Sequence, residues 1–182
     1  MNYVQLILDS LLVPEAGLFL ACFIFFIFLW VIGRKIKGLK RTMAVLEWGR
    51  LEWVYQSSDM RKWRLRLIST DRTNMKELQA HSGEVLHFFD RIGFLIQREI
   101  LSKKEIWQSF GGPVLGYFSF LFPYIQWLRT EERDADLFVY FEDLNEMVYL
   151  FNRKRSRKEA HALMEEEELN RFIEDEKSTL LN

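Results

Sequence analysis

From Ala16 to Ile32 the chain reads AGLFLACFIFFIFLWVI, seventeen residues without a charge, and Leu11 to Val13 and Gly33 extend the apolar character at both ends. At about 1.5 Å rise per residue, such a run covers about 25–33 Å, close to the hydrocarbon core of a bilayer. A helix apolar on every side is seldom found on a small globular domain. The run therefore predicts a single N-terminal transmembrane helix over 16–33, preceded by a short segment, 1–15. A cleaved signal peptide fits poorly, because the residues before the run include no Lys or Arg and carry Asp9 and Glu15. Cys22 is the chain's one cysteine, which excludes an intrachain disulfide and a cysteine zinc site. The apolar stretch continues ten residues beyond it, so lipid attachment at a lipoprotein cleavage site is not expected.

Arg34, Lys35, Lys37, Lys40 and Arg41 follow at once, in a basic juxtamembrane segment over 34–41. Cations concentrate on the cytoplasmic flank of a span, so the N-terminus is expected outside and the remainder of the chain in the cytoplasm. The same five residues are candidate contacts with anionic headgroups, worth about 1 kcal/mol each near the surface, although fixing the topology alone is the simpler reading of them.

After the anchor, about 140 residues remain, enough for one domain and no more. With 49% hydrophobic and 15% aromatic residues the chain is far from the composition of a disordered one, so a packed core is expected despite 28% charged residues. Net charge is only −1, so any attraction to nucleic acid or lipid must come from local clusters.

Apolar residues recur at helical spacing throughout, with no sustained alternation, and the fold class read from them is all-α: a bundle of four or five helices over 42–152. The first helix is expected from Leu39 to Tyr55, with continuation of the anchor helix through Gly38 left open, and a short second from Met60 to Ile68, basic on its outer face through Arg61, Lys62, Arg64 and Arg66. The third runs from Met75 to Leu101, with Val85, Phe88, Phe89, Ile92, Leu95, Ile96 and Ile100 on its buried side. Gly93 interrupts that stripe and is read as a place of close approach by a neighbouring helix. Ser102 and Glu105 form a capping box that starts a short helix ending at Gly111 and Gly112. Pro113 then opens a helix to Trp127, kinked near Pro123. Gly112 and Gly116 offer a weak packing motif. The last core helix spans Asp134 to Phe151, capped by Asp134 or Asp136. The charged tail, 153–182, is basic from Arg153 to Lys158 and acidic from Glu165 to Glu168, with too few apolar residues to dock firmly. Ile106 to Leu128 also lacks charges over twenty-three residues. Its polar residues, two prolines and three glycines make a buried core helix the better reading than a second span.

A search for chemistry finds little. Glu84 and His87 stand at the i, i+3 spacing of di-iron helical bundles, but a full site needs a second copy, and neither His81 nor His161 provides one. No phosphate loop, nucleophile elbow or His-Glu-x-x-His motif occurs. Glu142, Asp143 and Glu146 read as a solvated face or as partners for Arg91 or Arg129. Arg153, Lys154, Arg155, Arg157 and Lys158 form the densest basic cluster and a candidate interaction surface. Their place at a helix C-terminus has a simpler cause in the helix dipole. No aromatic residue interleaves them to stack bases, which argues against nucleic acid. No catalytic, metal or cofactor residue is assigned.

The stretch FFDRIGFLIQREILSKKEIWQSFGGPVLGYFSFLFPYIQWLR, followed by VYFEDL, resembles a bacterial family of unknown function, small proteins with an N-terminal span and a helical cytosolic domain. Ile92, Gly93, Pro123, Phe141, Glu142 and Leu144 carry the resemblance, which covers Leu39 to Phe151. It implies an all-helical fold and a place in the bacterial inner membrane, and no activity. The expected function is thus a membrane-tethered interaction or regulatory protein without catalysis. Its expected partners are the lipid bilayer and either another protein or a second copy of itself. The alternative is a membrane-active effector of a defence or toxin module that inserts the 106–128 segment, and a third, less favoured reading is an enzyme with a polar site around Glu84, His87 and Glu142.

Overall fold

A computed structural model describes the backbone of residues 3–156 and 163–181 and the side chains of 22–154 and 163–181. Within these residues all regular structure is helical: α1 (Tyr3–Gln56), α2 (Ser58–Ile68), α3 (Met75–Gln97), α4 (Lys103–Glu132), α5 (Val139–Ser156) and α6 (Glu166–Leu181). The chain divides into two units, residues 1–43 and 44–182.

In the first unit, Phe23 to Ile32 are solvent-facing on every side of α1, from 37% exposed at Ile32 to 68% at Phe26. Of the expected span over 16–33, the side chains of 16–21 lie outside the described residues. Among the described residues no helix is long and apolar enough to cross a membrane.

In the second unit, polar side chains set the helix starts. Ser57 accepts a hydrogen bond from Met60 N at 3.2 Å, Asn74 from Glu77 N at 3.3 Å and Ser102 from Glu105 N at 3.5 Å, each relieving an orphan donor of a first turn. α4 packs on α3, α5 and α6, while α2 packs on α3 and α6 and α3 packs most extensively on α5. The core is largely aromatic. Phe89 stacks on Phe141 at 5.1 Å between ring centres, Phe118 meets Phe141 edge-on at 5.1 Å, and Tyr55 meets Phe110 edge-on at 5.2 Å. Such pairs add about 0.5–1.5 kcal/mol each beyond burial itself.

Several boundaries differ from the sequence reading. The third helix ends at Gln97, not Leu101, because Glu99 takes a left-handed φ of 55°. Ile100 N then donates back to Leu95 O and Glu99 N to Ile96 O, a Schellman closure built without glycine. The expected break at Gly111 and Gly112 is absent, and one helix runs from Lys103 to Glu132 through Pro113 and Pro123. Each proline removes one backbone hydrogen bond, a cost that the burial of Ile106, Phe110, Val114 and Tyr117 along the same helix offsets. The last core helix starts at Val139, not Asp134, since Arg133 and Phe138 both adopt left-handed backbone and Asp134 instead closes a turn onto Asp136 N. Arg64, expected on the outer face of α2, is only 4% exposed.

The tail departs most. Residues 166–181 form α6, which docks with Leu169 and Leu180 buried and with the Phe172 ring seated on Gly116 of α4. A Cβ at Gly116 would come within 2.5 Å of that ring. The close approach expected at Gly93 is present, since a Cβ there would overlap the Tyr140 carbonyl of α5.

Near this contact Asp90 of α3 caps α5 from outside, its carboxylate accepting from Phe141 N at 3.1 Å. Burial raises the carboxyl above the usual range, and the Phe141 N–H and the nearby His87 oppose that rise. A raised pKa means that the folded state holds the proton more tightly than the unfolded chain. This contribution is therefore present below the ordinary Asp range and is lost as pH rises through the folded value. Asp90→Asn keeps the acceptor without the charge and is expected to match or exceed the wild-type Tm at pH 7. Asp90→Ala, which orphans the α5 amide, is expected to lose about 1 kcal/mol or somewhat more in thermal unfolding.

Candidate functional site

Four helices converge on one buried polar cluster. The Arg64 guanidinium lies over the Tyr55 ring at 3.8 Å from its centre and pairs with Glu176 at 3.2 Å. The Tyr117 hydroxyl donates to the same Glu176 Oε1 at 2.7 Å. Burial pushes both the Tyr55 and Tyr117 hydroxyls well above the ordinary phenol range, and for Tyr117 the Glu176 carboxylate adds to the effect, so both rings stay neutral. Arg64 Nε finds no acceptor, so the Tyr55 π face carries part of the cation's solvation. Arg61 adds hydrogen bonds to the carbonyls of Thr179 and Leu180 at the end of α6. The cluster ties the end of α1 and α2 to α4 and α6. Its carboxylate is committed to the guanidinium and the phenol, an arrangement that holds α6 to α2 and α4.

Glu84 and His87 are brought together, as their spacing requires, on the wall of a pocket of about 200 Å³ that Arg50 and Arg91 also line. Arg91 is engaged by Glu47 at 2.9 Å, and the His87 ring lies 5.5 Å from that of Phe138. No group of three or more His, Cys, Asp or Glu residues positioned to hold a metal occurs among the described residues. Of the acidic residues singled out on α5, Glu142 pairs with Arg129 at 2.8 Å, whereas Asp143 and Glu146 edge an open groove of about 750 Å³ between α3 and α5. Gly93, Ile96, Leu144, Met147, Leu150 and Phe151 line the groove, and Lys103 and Lys154 stand among the carboxylates at its edge. Its mixed charge selects no sign of ligand.

Arg34, Lys35, Lys37, Lys40 and Arg41 are all exposed along α1 in the first unit, with the Arg34 guanidinium 5.4 Å from the Trp30 ring centre. Arg153 and Lys154 are exposed at the end of α5. The side chain of Arg155 lies outside the described residues, as do Arg157 and Lys158 altogether. The 106–128 segment supplies much of the bundle's core, with Ile106, Val114, Tyr117, Phe120, Leu121 and Ile125 at most 1% exposed.

The sequence reading missed the Arg64 and Glu176 pair. The signal lay in the tail, where Leu169, Phe172, Ile173, Glu176 and Leu180 recur at three- and four-residue intervals and make an apolar stripe with one acid in it.

A family profile described as a domain of unknown function, DUF4760, matches residues 29–148, from the apolar part of α1 to most of α5. No curated protein and no solved structure matches the chain. With about two thirds of its length covered, the chain belongs to the DUF4760 family.

Proposed function

We propose that this protein is a membrane-tethered, non-catalytic interaction module of the bacterial inner membrane, with its N-terminus outside and its helical bundle on the cytoplasmic side. The observation that carries the reading is α1 from Phe23 to Ile32, ten consecutive large apolar residues exposed around the whole helix and followed by five cations. In water such a surface costs about 25 cal/mol for each Å² left uncovered, and a bilayer covers it without a polar face. Cys22 to Ile32 cover about 17 Å along the helix, and Ala16 to Ala21, apolar in sequence, bring the length to that of a hydrocarbon core. The five cations then reach the headgroup zone on the side where anionic lipid is concentrated. Within the bundle, Arg64 with Glu176 and Arg129 with Glu142 are held in ion pairs that fasten helices to one another.

Single cysteines placed at Asn2, Glu52, Lys76 and Glu146 in a Cys22→Ala background test the topology with a membrane-impermeant thiol reagent. The expected result is labelling at Asn2 in intact cells and at the other three only after the cells are opened. Labelling of Glu146→Cys in intact cells, with Glu52→Cys protected, would replace the single span by a hairpin through 106–128.

A further inference from the structure

We propose that α1 pairs along its length with α1 of a second copy of this chain, as a parallel two-stranded coiled coil that continues from the bilayer into the cytoplasm; this rests on the tethered reading above. Within the first unit, Cys22, Phe25, Leu29, Ile32, Ile36, Leu39 and Met43 recur at alternating intervals of three and four, and all seven are exposed. The same spacing runs on in the sequence to Leu46 and Trp53, which are 68% and 73% exposed, with Arg50 at the place between them. A period of 3.5 is the mark of a helix whose seam follows another helix, because an unpartnered helix at 3.6 residues per turn drifts about 20° per heptad away from it. Apolar residues held at these places over more than three heptads meet the length at which a coiled coil is expected.

Lipid cannot be the occupant of the whole seam. Met43 stands about 15 Å along the helix beyond Gly33, whereas the headgroup zone adds only about 5–8 Å to the hydrocarbon core. The bundle does not use the seam residues either: in the second unit α1 gives Leu51 and Tyr55 to the core, with Trp48 packed against it, and Leu46 and Trp53 lie on the opposite side of the helix. A second copy anchored in the same bilayer presents the same seam in the same direction at the same depth, so every position of the pattern meets its own counterpart. Beyond the apolar run, Ile36 followed by Leu39 is the pairing of residues that favours two strands, whereas Leu29 followed by Ile32 within the run is not. Arg50, a single charged place in the seam, resists slippage of the register at a cost in affinity. Gly33 and Gly49 flank the seam, and among the described residues nothing lies within 4 Å of a Cβ at either, which leaves room for a neighbouring helix to approach. Lys35 flanks it within the headgroup zone, whereas Lys40, about 10 Å beyond Gly33, adds a like-charge repulsion that lowers the affinity.

The full chain carrying Cys22→Ala and one new cysteine at Met43, Leu46 or Glu52 is expressed, and membranes washed with alkaline carbonate are oxidised with copper phenanthroline. The expected result is a disulfide-linked dimer from Met43→Cys and Leu46→Cys at least tenfold more abundant than from Glu52→Cys, which lies off the seam on the same helix. Membrane-retained chain with no dimer, or with equal dimer at all three positions, overturns the pairing and leaves the anchor standing. Chain recovered in the carbonate supernatant overturns the anchor and the pairing that rests on it. Leu46→Glu is expected to convert the detergent-solubilised dimer to monomer by light scattering while keeping its helical circular dichroism, and a dimer that survives that change equally contradicts the seam.

Discussion

Replacing Glu176 with Ala is expected to remove about 3–5 kcal/mol from the stability of the helical bundle, measured by denaturant unfolding of the full chain in mild detergent. The effect is large because Arg64 would stay behind as a buried cation, with Tyr117 losing its acceptor at the same moment. Taking the guanidinium away as well should recover most of the loss. In Arg64→Met with Glu176→Leu no charge remains to be solvated, and the space is filled by apolar atoms of similar bulk. A double variant as unstable as Glu176→Ala would mean that packing of α6, not the buried charge, sets the cost. A single variant within about 1 kcal/mol of wild type would mean that water reaches the pair, as it does at surface ion pairs.

Gly93→Ala is the second change with a large expected effect. Its new methyl would overlap the Tyr140 carbonyl, which belongs to helix backbone and cannot rotate away as a side chain can. α5 must shift off α3, and the Asp90 bond to Phe141 N, one turn away, shifts with it. A loss of about 3 kcal/mol is expected, at the upper end of overpacking effects. Gly83 provides the control in the same helix: among the described residues nothing lies within 4 Å of a Cβ there. Gly83→Ala is expected to stabilise the bundle by about 0.5–1 kcal/mol, the ordinary gain of alanine over glycine in a helix. Opposite signs at the two positions would establish helix contact, not backbone propensity, as the reason for Gly93. Equal signs would remove that reason.

The helices of the bundle were legible where an apolar stripe and a polar cap agree, as at Asn74 with Val85, Phe89 and Ile92 behind it, or at Ser102. They were misread where tertiary packing overrides a local breaker. Gly111, Gly112 and Pro113 read as a boundary, yet the helix passes through them because both of its halves are anchored in one core. The stops at Glu99 and Arg133 were illegible for the converse reason, since residues other than glycine take the left-handed conformation there and composition gives no sign of it. Arg64 was misplaced because a charge is assigned to the surface by default, while its partner lies 112 residues further on in a tail judged too polar to dock. Leu169, Phe172 and Leu180 were enough to hold that tail, since a stripe needs only one apolar residue per turn on the facing side. The seam on α1 was present in the sequence but hidden inside a run where every position is apolar. It stands out only beyond Ile32, where Ile36, Leu39, Met43 and Leu46 keep the spacing among charged neighbours.

The central claim is that Phe23 to Ile32 lie in lipid. Alkaline carbonate extraction of membranes from cells expressing the full chain, beside a Phe26→Lys, Leu29→Lys variant, tests it most directly. Two lysines near the middle of a span cost about 5–7 kcal/mol on insertion scales. The account predicts wild-type chain in the washed pellet and the variant largely in the supernatant. Wild-type chain in the supernatant, still folded, would contradict it and would leave that apolar helix to be covered by protein alone.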